Sequence, residues 1–277
     1  MMDKSEIENQ IISAVDAARS TNPLVGSVTN AASVSFVANA QLAVGGSAAV
    51  VYLDEESDFL AKAGGAFYIN VGTLLPLHEH TLPPAAKLLH AMGVPWVLDP
   101  VAVGIGSLRT SLLMQFKAYK PNIIRGNASE VIALANLWGF GNKDASNVRG
   151  VDSTDAVASA KSSAIALAKW TGGAVAVSGK TDLITDGIIV AHSYGGSHFF
   201  EKITGAGCSL GGVVAVYAAV ANPFIAALTG TAAYNLAGMR AGQVSSGPAS
   251  FQVAFIDELY KATSVEIAKN AFDVEEA

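Results

Sequence analysis

The chain has 277 residues, 51% of them hydrophobic and 14% charged, with a formal net charge of -6. That length and composition support one sizeable core, and the scattered acidic balance leaves no footprint for phosphate backbones or anionic lipid, so nucleic acid is excluded as a partner. The single cysteine excludes an internal disulfide, and no long apolar run of the secretory kind opens the sequence, so a reducing, cytoplasmic setting is expected.

In chain order, the opening "MMDKSEIENQIISAVDAARS" reads as a polar amphipathic helix. Short apolar runs then recur as "SAAVVYLD", "AFYINVG", "PWVLDPV", "NIIRGN", "AVAVSGKTDLITDG" and "GIIVAHS". Segments of helical length lie between them at 82–92, 110–118, 129–137 and 154–170. Strand-length runs alternating with helices predict βαβ units, hence an α/β fold with a doubly wound, mostly parallel sheet flanked by helices. No linker or repeat divides residues 1–277, so a single domain is expected. "AHSYGGSHFFEKITG" is predicted to be a hairpin turning at Gly195-Gly196. The stretch 203–239 carries no charge and is long enough for a membrane span, but Gly205, Gly207, Gly211, Gly212, Asn222, Pro223 and Gly230 interrupt it. It therefore predicts a glycine turn, a buried helix, a bend and a second buried helix, with no membrane partner.

Ligands of doubly wound sheets sit beyond the carboxyl ends of the strands. Here those places read "NVGT" (70–73), "DPVAVG" (99–104), "RGNASE" (125–130), "SGKTD" (178–182) and "TGAGC" (204–208). Gly205 and Gly207 permit a tight turn into a helix, which leaves the N–H groups of Ala206, Gly207 and Cys208 free to hold an anion. In "RGNASE", Arg125 is placed to reach phosphate oxygens. Asn127 and Glu130, three apart, either hold a hydrated Mg²⁺ or form a helix capping box. Asp99 follows an apolar strand and either orients metal-bound water or caps a loop. His78 and His80, two apart, are a weak metal pair, and His192 and His198 read as surface residues. Asn30 and Asn39, amides among small apolar residues, are expected to line a site.

With these motifs in place, the chain resembles the hydroxyethylthiazole kinases of the ribokinase-like superfamily along nearly its whole length. The resemblance rests on "NPLVGSVTNAASVSFVANAQLAVGGSAAVV" (22–51), "INVGTL" (69–74), "PWVLDPVAVG" (95–104), "IIRGNASEVIALA" (123–135), "GVDS" (150–153), "VSGKTDLITDG" (177–187), "KITGAGCSLGGVVA" (202–215) and "SSGPASFQVAFIDEL" (245–259). It implies a ribokinase-like fold and ATP-dependent, Mg²⁺-dependent phosphorylation of the alcohol of 4-methyl-5-(2-hydroxyethyl)thiazole, a step of thiamine salvage. It also implies a homotrimer with shared active sites. By position, Asn127 and Glu130, with Asp99, match the residues that organise Mg²⁺. Arg125, Ser178, Gly205, Ala206 and Gly207 match the ATP contacts; Asn30, Val50 and Gly205 line the alcohol site. Cys208 stands where most of the superfamily carries an aspartate base, and its thiol is expected to be acidified by the helix N-terminus. Two positions depart from the family pattern: Val50 replaces a methionine and Ala206 a threonine.

Overall fold

The computed structural model describes residues 3–52, 54–141 and 153–277. The elements run α1 (Lys4–Thr21), β1 (Leu24–Val28), α2 (Val34–Ala43), β2 (Ser47–Val50), α3 (Asp54–Ala63), β3 (Ala66–Asn70), α4 (His78–Met92), β4 (Trp96–Asp99), α5 (Ser107–Tyr119), β5 (Ile123–Asn127) and α6 (Ala128–Trp138). After them come α7 (Ser153–Thr171), β6 (Ala174–Ser178), β7 (Asp182–Thr185), β8 (Ile189–Ser193), a 3₁₀ turn (His198–Lys202), α8 (Ala206–Ala218), α9 (Pro223–Val244), α10 (Pro248–Lys261), α11 (Ser264–Ala268) and β9 (Phe272–Glu276).

Among the described residues, nine strands join one sheet in the order β2-β1-β3-β4-β5-β6-β7-β8-β9. Pairing is parallel from β2 through β6 and antiparallel from β6 through β9. Strands such as β3 and β4 are buried at every residue because helices cover both faces, which is why they read as unbroken apolar runs. Two hydrophobic clusters result. One holds residues of α1, α2, α8, α9, α10 and α11; the other holds residues of α4, α5, α6 and α7. Strand β1 lies between β2 and β3, so the chain leaves it first to one side and then to the other. That reversal opens a crevice at the carboxyl ends of β1 and β3.

The uncharged stretch folds as expected, into the glycine turn, α8, a bend closed by the Asn222 cap, and α9. Among the described residues, no helix is long and apolar enough to cross a membrane. The expected hairpin at Gly195-Gly196 does not form. Both glycines have positive φ (124° and 79°), but they lead into the 3₁₀ turn, and β8 pairs instead with β7 and β9. The run read as one strand, "AVAVSGKTDLITDG", is itself a hairpin of β6 and β7. The "GVDS" stretch reaches the described residues only at Ser153, the start of α7.

Candidate active site

Every parallel strand from β1 to β6 except the edge strand delivers a polar side chain to one rim. Asn30 lies two residues past β1, Asn70 ends β3, Asp99 ends β4, Arg125 and Asn127 close β5, and Ser178 ends β6. Register makes two of these direct neighbours: Asn70 pairs with Asp99, and Asn127 with Ser178.

Asp99 is fully buried. Its Oδ2 accepts from Tyr68 Oη at 2.9 Å and Asn70 Nδ2 at 3.1 Å, and lies 3.5 Å from Arg125 Nη1. Its Oδ1 has no partner. Burial pushes this carboxyl well above the ordinary carboxylate range, and Arg125 opposes the rise. Arg125 is buried too; burial works against its charge, but Asp99 and then Glu130 outweigh it, so it stays a cation. Arg125 Nη2 donates to Ser178 Oγ at 2.8 Å.

Above the guanidinium lies the start of α8. Gly205, with φ 84°, caps the helix, and Gly205 C=O takes the first helical bond, from Ser209 N–H at 2.8 Å. The N–H groups of Ala206, Gly207 and Cys208 thus precede any intrahelical acceptor and mark an anion site. A Cβ on Gly207 would stand 2.5 Å from Arg125 Nη1, so only glycine lets cation and helix end converge. A Cβ on Gly205 would meet Ser33 Cβ at 2.5 Å. From α9, Tyr234 Oη donates to Ala206 C=O at 2.8 Å and contacts Ser209 Oγ, bracing the same turn.

Cys208 sits in that turn, half-buried. Asn30 Nδ2 donates to its Sγ at 3.1 Å and lies 3.3 Å from Asn70 Oδ1, which also accepts from Gly72 N–H at 2.9 Å. The expectation of an acidified thiol is corrected here. Burial and then the charge of Asp99 push the thiol up, and the hydrogen bonds of Ser33 and Asn30 with the pull of Arg125 do not reverse it. A helix end stabilises a charge by about 1 kcal/mol, up to roughly 2 when partly buried, and desolvation beside a carboxylate outweighs that. Cys208 is therefore a neutral thiol at pH 7.

Asn127 and Glu130 form the capping box: Asn127 Oδ1 accepts from Glu130 N–H and Glu130 Oε2 accepts from Asn127 N–H, both at 2.9 Å. The structure adds a second duty for the carboxylate. Glu130 Oε1 accepts from Ala102 N–H at 3.3 Å, and Ala102 carries φ 59°. Glu130 thus holds the "DPVAVG" turn in a left-handed conformation that a non-glycine residue adopts at a cost. On the far side of that turn, Arg109 clamps the next loop, donating to the carbonyls of Val71 and Gly72.

A cleft of about 660 Å³ runs from Arg125, Asn127 and Ser178 past Ala206 and Gly207 to Phe200, Tyr234 and Asn235. Val50 stands apart, half-buried at the end of the edge strand β2, beyond β1 and away from this cleft. Asn39 is exposed on α2 and lines nothing here. His78 is buried, its Nδ1 accepting from Leu75 N–H at 3.0 Å; among the described residues no cluster of three or more His, Cys, Asp or Glu is arranged for a metal ion. His198 is exposed, and His192 is half-buried against Glu275. Sequence reasoning missed Tyr68, Asn70, Asp182, Tyr234 and Asn235. Asn70 was signalled by its place at a strand end; Tyr234 and Asn235 lie mid-helix within the uncharged stretch, where pattern gives no sign of a cleft.

The profile of the Hydroxyethylthiazole kinase family matches residues 15–265. The chain belongs to the hydroxyethylthiazole kinase family. Among its relatives, a hydroxyethylthiazole kinase of Bifidobacterium longum (strain DJO10A) is 50% identical over 285 residues, covering 96% of this chain and 91% of the relative. Another, from Cereibacter sphaeroides (strain ATCC 17025), is 41% identical and covers 93% and 95% respectively. The solved hydroxyethylthiazole kinase of Pyrococcus horikoshii OT3 superposes with a TM-score of 0.85 at 27% identity, over 96% of this chain and 98% of that one. A pyridoxal kinase from Staphylococcus aureus, solved with ADP, superposes at 0.59 and 16% identity over 92% and 98%, sharing the ribokinase-like fold. Membership of the thiazole kinases makes the cleft and the Cys208 turn the place to seek phosphoryl transfer.

Proposed function

We propose that the chain phosphorylates the hydroxyethyl group of 4-methyl-5-(2-hydroxyethyl)thiazole from ATP, with Mg²⁺, as a salvage step toward thiamine. The observation that carries this reading is that Arg125 and the start of α8 meet at Gly207 on the wall of the cleft, with Cys208 the next residue of the same turn and its thiol held by Asn30. In this reading ATP occupies the cleft, with Arg125, Ser178 and the N–H groups of Ala206 and Gly207 on its phosphates. The alcohol lies over Cys208, bordered by Asn30, Gly205 and Val50.

The residues present suit a magnesium ion. Asp99 offers a buried oxygen with no other partner, and Glu130 is held rigid by the capping box with Asn127. Asp99 and Glu130 would hold the ion through its water shell, with Asn127 fixing Glu130. Bound there, the ion would neutralise charge on the transferred phosphoryl group. Arg125 and the turn N–H groups stabilise the same charge as it shifts toward the leaving oxygen. Cys208 aligns the hydroxyl. Its thiolate form, a minor one at pH 7 because burial pushes the thiol up, takes the hydroxyl proton as the bond to phosphorus forms. Where the thiol stays protonated, the proton leaves on an oxygen of the transferred phosphoryl group, in a transfer that demands little base strength early.

The single domain spans 1–277 and works in the cytoplasm. It assembles as a homotrimer whose alcohol site lies at the subunit boundary. Support comes from β2, an uncharged edge strand ending in Val50, flanked by the exposed Tyr52 and Phe59: a partner subunit would both cover the edge and complete the wall at Val50.

The test incubates the protein with ATP, Mg²⁺ and a panel of thiazole and pyrimidine alcohols. ADP release dependent on the thiazole alcohol is expected; release only with a pyrimidine alcohol, or with none, overturns the assignment. In the same assay Glu130→Gln should raise the Mg²⁺ concentration for half-maximal rate, since an amide is the poorer ligand for a hard cation. Lost thermal stability with unchanged Mg²⁺ dependence would reduce Glu130 to a helix cap.

A further inference from the structure

The cleft has a second end that the phosphate contacts leave unexplained. There Gly195, Gly196, Phe200 and Asn235 form the wall. Asn235 is buried in the middle of α9, a place where an amide must find partners. Both hydrogens of its Nδ2 are engaged, one to Asp182 Oδ2 at 2.9 Å and one to Ser193 Oγ at 3.1 Å. Asp182 is a buried part of the same lining, and its Oδ1 accepts from Gly179 N–H at 2.9 Å. An ionised carboxylate can only accept, so the amide nitrogen must face inward and the amide oxygen is presented beside Gly196. Gly196 N–H donates to Asn235 C=O at 2.9 Å, and a Cβ there would come within 3.3 Å of Asn235 Oδ1. The backbone is thus drawn back and one acceptor is left on the cleft wall.

We propose that Asn235, oriented by Asp182 and Ser193, selects the nucleoside of the phosphoryl donor by accepting a hydrogen bond from it at Oδ1; this rests on the reading of the cleft as the nucleotide site. A purine nucleotide carries two kinds of donor within reach of such a wall, the exocyclic amine of adenine and the ribose hydroxyls. A fixed acceptor favours either and rejects an analogue that lacks it, or that places a carbonyl there.

The experiment measures kcat/KM and binding by calorimetry for ATP, ITP, 2′-deoxy-ATP and 3′-deoxy-ATP, using the full chain and its Asn235→Ala, Ser193→Ala and Asp182→Asn variants. Wild type should lose about fivefold or more with one of the three analogues, and that analogue identifies the donor group: ITP the base amine, a deoxynucleotide the ribose. Asn235→Ala should weaken ATP but not that analogue, collapsing the ratio to within about twofold. Ser193→Ala and Asp182→Asn, which free the amide to turn, should relax the same ratio while KM for the alcohol stays constant. They keep the test decisive should Asn235→Ala fold poorly. Equal use of all four nucleotides by wild type, or a ratio unmoved in every variant while ATP still binds, overturns the role of Asn235 alone. Failure to bind any nucleotide overturns the reading of the cleft and this inference with it.

Discussion

At Cys208 the decisive quantity is where the proton sits before transfer. Burial and Asp99 keep the thiol protonated at neutral pH, so a wild-type rate limited by proton acceptance should rise as the pH enters the alkaline range. Cys208→Asp places a carboxyl in the same buried field, where its pKa also climbs but from a much lower start. That variant should match or exceed wild type at pH 7 and reach its plateau at lower pH. Cys208→Ala should lose about 10²-fold or more; steady-state rates at saturating ATP that stay within about threefold of wild type would leave the thiol a packing group. Gly207 offers a separate test. Gly207→Ala drives a methyl into the Arg125 guanidinium, so it should raise KM for ATP at least tenfold while leaving the melting temperature within a few degrees, because Arg125 can swing into the cleft. An unchanged KM would detach Arg125 from the phosphates.

At the scale of elements, α8 explains the glycines that open and line it. Gly211 leaves room for the Tyr68 ring, and Gly212 for Val37 and Gln41; added Cβ atoms would stand 2.5 Å and 2.8 Å from the first two. The helix can therefore settle on β3 with its N-terminus over Asp99 and Arg125. The turn, both buried helices and the charged groups Asp99, Arg125 and Glu130 were legible in the sequence, because strand ends and glycine turns carry local signals. The β6–β7 hairpin and β9 were not. "SGKT" lacks the two-residue turn signature, and "FDVEE" is a charged edge strand defined by its pairing with β8 rather than by its own pattern. Nor did the sequence reveal that the helix end fails to acidify Cys208, since desolvation depends on long-range packing. The hairpin is tied to α9 through Asp182, whose carboxyl burial pushes up to about 6. The folded state then holds a proton that the unfolded chain, with a pKa near 3.9, has released, so this group's contribution to stability falls as pH rises from about 4 to about 6 and levels off above. Between pH 4.5 and 7 the unfolding free energy from urea titrations should shift relative to Asp182→Asn by about 2 kcal/mol, wild type losing that much more stability as the pH rises. Equal slopes would mean that Asp182 titrates normally.

Over the whole molecule, the sheet has two edges of opposite character. Strand β9 presents Asp273, Glu275 and Glu276, with Glu275 paired to Lys161 and His192; such charges discourage edge-to-edge pairing. Strand β2 presents Ser-Ala-Ala-Val beside exposed Phe59. The architecture of the sheet was predictable from alternating runs, whereas the order that makes β2 an edge emerges only in three dimensions. If the proposed trimer uses that edge, Ala49→Lys should dissociate it and depress turnover together, read by light scattering and rate at matched concentration. A monomeric wild type would remove the shared site.

One residue bears on how this enzyme could be made more durable. Ala102 is held left-handed by Glu130, a conformation worth about 1–2 kcal/mol of strain in any residue but glycine. Ala102→Gly should raise the melting temperature by easing that strain, and lower turnover by letting the loop after Asp99 wander. A heat-resistant version obtained at this position would be a slower catalyst, so stabilisation by design belongs elsewhere, on exposed apolar positions such as Ile188 and Val253, where robustness and rate are uncoupled.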